Sequence, residues 1–208
     1  MDFSTFKSTW SGLHNNASTQ GIVGGWLRIS FALARGANTL RLTPNSLTLL
    51  GVFVASAALI NSWWALFLVP LSLAFDGVDG SLAIITGRES KVGAIYDSLS
   101  DRIVEGFWAY IAYQLGAPLW VAASLWSLGA LQEYARARIA ALGVGELGVV
   151  TVMERPMRAS ALFISLVLSV LSLPGVVVTF YCALLLQLFS VLAVFRFGYQ
   201  SLQQPSQR

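Results

Sequence analysis

Asp76-Gly77-Val78-Asp79-Gly80-Ser81-Leu82-Ala83-Ile84, followed by Gly93-Ala94-Ile95-Tyr96-Asp97-Ser98-Leu99-Ser100-Asp101, is the stretch that decides how this chain folds. Four carboxylates, Asp76, Asp79, Asp97 and Asp101, stand in a sequence that is otherwise strongly apolar. On a helix Asp76 and Asp79 are an i,i+3 pair and Asp97 and Asp101 an i,i+4 pair, so each pair shares a face. A hairpin through Thr86-Gly87-Arg88 brings the two pairs together. Carboxylates gathered in apolar surroundings cannot all stay ionised without a counter-charge. A divalent cation, or a pair of them, is the natural one, and an all-oxygen ligand set favours Mg²⁺, Mn²⁺ or Ca²⁺ over zinc. Gly80 and Gly93 leave bare backbone beside the acids, where a ligand can approach closely. On a soluble chain such paired acids are usually a solvated face or a helix start. Here they sit at the ends of membrane-length apolar runs, where ionisable residues are costly and mark function.

The rest of the chain has the composition this reading needs. Of its 208 residues 56% are hydrophobic and 11% charged, and the mean hydropathy is +0.68. A soluble domain carries about 25% charged residues. The expected class is therefore all-α integral membrane protein. The net charge of +3 is mild and does not point to nucleic acid as a partner. Cys182 is the single cysteine, so no internal disulfide forms, and its apolar run suggests a small buried hydrophobe. There is no internal repeat, and no low-complexity segment beyond the polar tail at Gln203-Gln204-Pro205.

Outward from the acids the chain divides into apolar runs. Residues 1–20 are polar, with Lys7, His14 and Asn15-Asn16, and lack the apolar core of a signal peptide. His14, the only histidine, reads as a surface residue rather than a ligand. Residues 22–41 mix Trp26, Leu27, Ile29, Phe31 and Leu33 with Arg28, Arg35 and Arg41, which suits a basic amphipathic helix on the membrane surface. Leu42-Thr43-Pro44-Asn45 is a break and a helix start. Six apolar runs follow, over about 46–61, 63–85, 92–115, 119–141, 154–172 and 176–197, several of them near the ~20 residues that cross a bilayer. Residues 142–153 read as a glycine-containing loop. Lys and Arg gather in or beside the N-terminal region, the second-to-third and fourth-to-fifth connections and the C-terminal region. The connections around 61, 117 and 174 contain none. That alternation implies six spans with both termini, and all four Asp, on the cytoplasmic side. The expected organisation is a polar and juxtamembrane segment over 1–41, a six-helix catalytic domain over 42–198 and a polar tail over 199–208.

The acid stretch resembles the signature of the CDP-alcohol phosphotransferase family, Asp-x2-Asp-Gly-x2-Ala-Arg-x8-Gly-x3-Asp-x3-Asp. Asp76, Asp79, Gly80, Ala83, Gly93, Asp97 and Asp101 all match at the required spacing. One position departs: the family's Arg after Ala83, associated with the CDP-linked substrate, is Ile84 here. Arg88, one helical turn later, and Lys91 are the charges nearest to hand. The resemblance implies two Mg²⁺ ions, with Mn²⁺ as an alternative, held by the four Asp. It also implies Asp101 as general base on the acceptor hydroxyl, and Asn45, Thr48, Gly80, Ala83, Arg88 and Ser90 around the CDP-linked lipid. It further implies a homodimer in the plasma membrane.

A second, basic cluster flanks one connection: Arg136 and Arg138, then Arg155 and Arg158. Any one of these residues could simply anchor the cytoplasmic side. Together they suit an anionic acceptor or the CDP phosphates, because Arg binds phosphate in a bidentate manner. Tyr134-Ala-Arg-Ala-Arg138 and Glu154-Arg-Pro-x-x-Arg158 are similar to the phosphatidylinositol-phosphate synthase branch, where arginines in this region hold the phosphate of inositol phosphate. The resemblance thus implies transfer of a lipid phosphate group to a small, phosphorylated alcohol with release of CMP. Inositol phosphate is the expected acceptor, and glycerol 3-phosphate, as in phosphatidylglycerol-phosphate synthases, is the alternative. A non-catalytic family member or a cation transporter are the readings from other classes. Acids at one face and the absence of an inverted repeat speak against a transporter.

Overall fold

The computed structural model describes residues 1–14, 16–144 and 149–203. Among them the chain is helical, with no strand: α1 (Phe3–Leu13), α2 (Gly21–Thr39), α3 (Pro44–Ala57), α4 (Ser62–Thr86), α5 (Lys91–Gln114), α6 (Leu119–Ala141), α7 (Arg155–Val170) and α8 (Val176–Gln203). Each of the six expected apolar runs is one helix, α3 to α8. The amphipathic segment over 22–41 is α2. Parts of the expected loop (145–148) and tail (204–208) lie outside the described residues.

Local chemistry sets the boundaries. Thr43 and Ser46 form a reciprocal capping box, and Pro44 presets the first turn of α3. Asn61 Oδ1 accepts from the Trp64 amide at 3.0 Å and starts α4. At the other end of α4, Gly87 takes φ +63°, and the Arg88 amide reaches back to the Ala83 carbonyl at 3.0 Å. This is a glycine-terminated helix end. Ser90 Oγ then accepts from the Gly93 amide at 3.0 Å to open α5. Arg88 therefore lies past the end of α4 and not on a continuing helix.

Two compact units make up the fold. One comprises Met1–Ala58 and Phe67–Val104. Its core has two clusters: Ala34, Ala37, Leu47, Val78 and Leu82, and then Phe6, Leu27, Phe31 and Ile84. Gly51 of α3 admits α4 closely, since a Cβ there would sit 3.4 Å from Phe75 Cβ and from the Ser72 carbonyl oxygen. Helix α1 was not expected. Asp2 caps it by accepting from the Thr5 amide at 2.9 Å, and hydrogen bonds from Thr5 hold the Asp2 carboxyl below its usual range. Phe6 on α1 is wholly buried.

The other unit comprises Leu59–Leu66 and the chain from Glu105 onward. Here α8 packs on α6 and α7. Gln187 donates to Gln132 Oε1 at 2.7 Å inside this unit, and the Met153 amide donates to Ser190 Oγ at 3.0 Å. Gly198 of α8 lies directly under Ile139 of α6, where a Cβ would fall 2.3 Å from Ile139 Cδ1. Among the described residues two helices, α4 and α8, are long and apolar enough to cross a membrane. Both carry large exposed apolar side chains, including Trp63, Trp64, Phe67, Phe189 and Leu192. Cys182 on α8 is exposed, contrary to the buried position expected for it. An apolar run in such a protein has an outward face as apolar as its inward one, because lipid tails are as apolar as leucine.

Candidate active site

The α4–α5 hairpin brings together three of the four acids that the sequence spacing pairs. Asp76 projects from α4 and Asp97 and Asp101 from α5, and one carboxylate oxygen of each lies within 4.8 Å of the others. Asp79 is not part of this group. It is buried, and its Oδ2 accepts a hydrogen bond from the Thr48 hydroxyl on α3. The structure thus gathers three of the four expected metal ligands and gives the fourth a hydroxyl partner. Arg102 Nη2 lies 3.8 Å from Asp101 Oδ2. Three hard oxygen donors converging on one point fit Mg²⁺ or Mn²⁺.

A cavity of about 370 Å³ opens beside these acids in the same unit. Asp76, Asp79 and Asp97 line it, and so do all six residues expected around the CDP-linked lipid: Asn45, Thr48, Gly80, Ala83, Arg88 and Ser90. Arg88 borders it from the connection after α4. Gly80 offers bare backbone, since a Cβ there would meet open space. At Gly93 a Cβ would press to 3.0 Å on Ser90 Oγ and 3.7 Å on Asn45 Oδ1, so glycine keeps that corner open.

Ile84, the one departure from the signature, lines the cavity while its side chain is buried against Phe6, Leu27 and Phe31. Sequence reading missed further wall residues, among them Trp10, His14 and Trp26. For Trp10 a diluted signal was present, since Phe3, Phe6, Trp10 and Leu13 recur at i, i+3, i+7 and i+10 and mark one face of a helix.

The basic cluster is more tied up than its sequence suggests. Arg136 donates to both oxygens of Glu154, at 2.6 Å to Oε2, and to the Val149 carbonyl at 2.9 Å. Glu154 also accepts from the Thr151 amide at 2.7 Å, so this pair fastens the chain ahead of α7. Arg158 is buried and donates to Glu105 Oε1 at 2.8 and 3.1 Å and to the Met153 carbonyl at 2.8 Å. Both Arg158 donors to Glu105 fall on the one oxygen, and a charge-assisted contact of this kind is stronger than a neutral hydrogen bond. Arg155 lies over the Trp108 ring at 5.6 Å, and Arg138 is exposed on the last turn of α6.

Comparison with known proteins places this arrangement. Residues 41–197 match the sequence profile of the CDP-alcohol phosphatidyltransferases. The chain is similar to the archaetidylinositol phosphate synthase of Aeropyrum pernix, at 33% identity over 151 residues, covering 70% of this chain and 77% of that protein. It is also similar to the phosphatidylinositol phosphate synthase of Corynebacterium glutamicum, at 36% identity over 150 residues, covering 65% of this chain and 67% of the relative. The fold matches the crystal structure of the Mycobacterium tuberculosis phosphatidylinositol phosphate synthase with CDP-DAG bound, at a TM-score of 0.71 and 21% identity, covering 83% of this chain and 94% of the other. The chain belongs to the CDP-alcohol phosphatidyltransferase family, membrane enzymes that use Mg²⁺ or Mn²⁺ to transfer a substituted phosphate group from a CDP-linked lipid.

Proposed function

We propose that this protein transfers the lipid phosphate group of a CDP-linked lipid to a hydroxyl of inositol phosphate and releases CMP. The observation that carries the reading is the group of Asp76, Asp97 and Asp101 beside a cavity lined by Asn45, Thr48, Gly80, Ala83, Arg88 and Ser90. The names of the relatives, synthases of archaetidylinositol phosphate and phosphatidylinositol phosphate, support inositol phosphate as the acceptor.

Asp76, Asp97 and Asp101, with Asp79 turning from Thr48, would hold two divalent ions. When bound, such ions neutralise diphosphate charge and ease departure of CMP. Gly80 lets the nucleotide approach the backbone, and Arg88 meets the diphosphate. Asp101 accepts the proton of the acceptor hydroxyl, whose oxygen attacks the phosphorus carrying the lipid as the bond to CMP breaks. A carboxylate near a cation is a weak base, so its contribution is chiefly placement. Arg138 and Arg155 take the acceptor's phosphate. Arg136 and Arg158, engaged by Glu154 and Glu105, hold the connection from which that phosphate is met.

Six spans, α3 to α8, cross the plasma membrane, with α2 on its surface and both termini and the acids on the cytoplasmic side. The distribution of Lys and Arg supports that orientation. Residues 42–198 form the catalytic domain, which assembles as a homodimer, and the polar stretch that follows begins in the last turns of α8.

Mass spectrometry of the lipid product tests the reading. Purified protein is given CDP-lipid with diacyl or dialkyl chains, together with inositol phosphate, glycerol 3-phosphate, free inositol or serine. An inositol-phosphate lipid is the expected product. A glycerophosphate lipid would move the assignment to the glycerol 3-phosphate reaction. No lipid product with any acceptor would contradict the transferase role.

A further inference from the structure

The cavity beside the acids has a wall to which the donor reading gives no task. Trp10 of α1 and His14, which caps the C-terminal end of that helix, line it together with Asn45, Thr48 and Arg88. Their rings are stacked, with centroids 4.0 Å apart and planes 16° from parallel. A contact of 2.8 Å between His14 Nδ1 and the Trp10 carbonyl oxygen fixes the imidazole over the indole. The pair is firmly seated, because Phe6, one turn earlier, is wholly buried against Ile84, and Trp10 itself packs on that cluster. Trp10 is only partly buried and His14 is exposed, so flat aromatic surface remains for a ligand.

Phosphates call for cations and polar donors, whereas a nucleobase calls for a flat, polarisable face. This cavity contains both kinds of surface. Its volume of about 370 Å³ falls within the range of small-molecule sites. A second indole, Trp26 of α2, extends the aromatic lining to the acid motif. It lies over Gly77, between Asp76 and Asp79, where a Cβ would fall 2.5 Å from its Cζ2.

We propose that the Trp10–His14 pair is a stacking platform for the pyrimidine base of the CDP-linked donor. Helix α1 is then part of the donor site and not a leader to the membrane domain. This inference rests on the CDP-donor reading above.

The test is binding of CMP, a water-soluble nucleotide without a lipid tail, to the full chain in detergent micelles with Mg²⁺. Isothermal titration reports the affinity and indole fluorescence reports contact. Trp10→Ala is expected to weaken CMP roughly tenfold or more, the range seen when a base loses its aromatic partner. Trp10→Phe keeps an aromatic face and is expected to retain affinity while losing part of the CMP-induced quench. Binding of pyrophosphate, which has no base, is expected to be unchanged in both variants. His14→Ala, at an exposed position, repeats the test without touching the α1 core and is expected to weaken CMP as well. Unchanged CMP affinity in both Trp10→Ala and His14→Ala overturns the platform alone. So does a loss confined to CDP-lipid, which would make Trp10 a contact for the lipid chains. Failure of the unaltered protein to bind CMP overturns the donor reading and the platform with it.

Discussion

Changing Ile84 to Arg restores the family signature, and the structure says it should harm this protein. Ile84 is 6% exposed, against Phe6 at 0%, Leu27 at 1% and Phe31 at 9%. Removing that side chain from water-free contact forfeits about 1.5–3 kcal/mol of apolar burial. If the guanidinium stays among the aromatic rings, its desolvation adds several kcal/mol more. Ile84 also borders the cavity, so the stem of an arginine can lie in the cluster with its head in the opening. In that geometry the remaining cost is overpacking, about 1–3 kcal/mol. Both geometries destabilise, and both loosen the seat of α1. Thermal unfolding in detergent, with limited proteolysis between α1 and α2, measures the effect. The expected result is a lower melting temperature and faster cleavage in Ile84→Arg. An unchanged melt with tighter CDP binding would refute the reasoning, since it would mean that α1 does not hold this side chain.

Further outcomes follow from the same geometry. Asp97→Asn should lower CMP release by about 10²-fold or more, the scale for loss of one charge-stabilising group, yet raise the melting temperature in EDTA because crowded carboxylates repel one another. A drop in that melt would contradict the convergence of the acids. Arg158→Met leaves Glu105 buried without its guanidinium partner, with side chains 7% and 4% exposed. It should cost about 3–5 kcal/mol, with much of this recovered in the double variant with Glu105→Met, as read by unfolding of both. Arg138→Ala should raise the KM for a phosphorylated acceptor about tenfold, the worth of one hydrogen bond to a charged group, without moving the melt. Arg136→Ala should lower the melt through loss of the Glu154 pair. Steady-state kinetics with a melting curve for each variant separates these two arginines.

Much of the architecture was legible because punctuation and periodicity coincide. Pro44, Gly87, Pro118 and Pro156 stand at helix starts and ends, and the apolar runs between such breaks became α3 to α8. The acid group was legible only in part, since spacing puts Asp76 with Asp79 and Asp97 with Asp101 but does not show that Thr48 engages Asp79 apart from the other three. Helix α1 was hidden because Ser, Thr and Lys dilute its apolar stripe. Partners distant in sequence were also hidden. Thr48 meets Asp79 across 31 positions, and Arg158 meets Glu105 across 53, and no local pattern announces either. The same holds for the arginines, whose sequence shows a basic cluster while the fold commits Arg136 to Glu154 and Arg158 to Glu105. Cys182 was misplaced because apolar character means burial only where the surroundings are water.

Metal-dependent transfer from a CDP-linked lipid, carried by the acids beside the cavity, can be measured with a single substrate pair. Release of labelled CMP from CDP-diacylglycerol, with inositol phosphate and Mg²⁺, tests it most directly, comparing the unaltered protein with Asp101→Asn and with EDTA. The expected result is release that requires both acceptor and metal and that is lost in the variant. Release of equal rate in Asp101→Asn, or in EDTA, would contradict it.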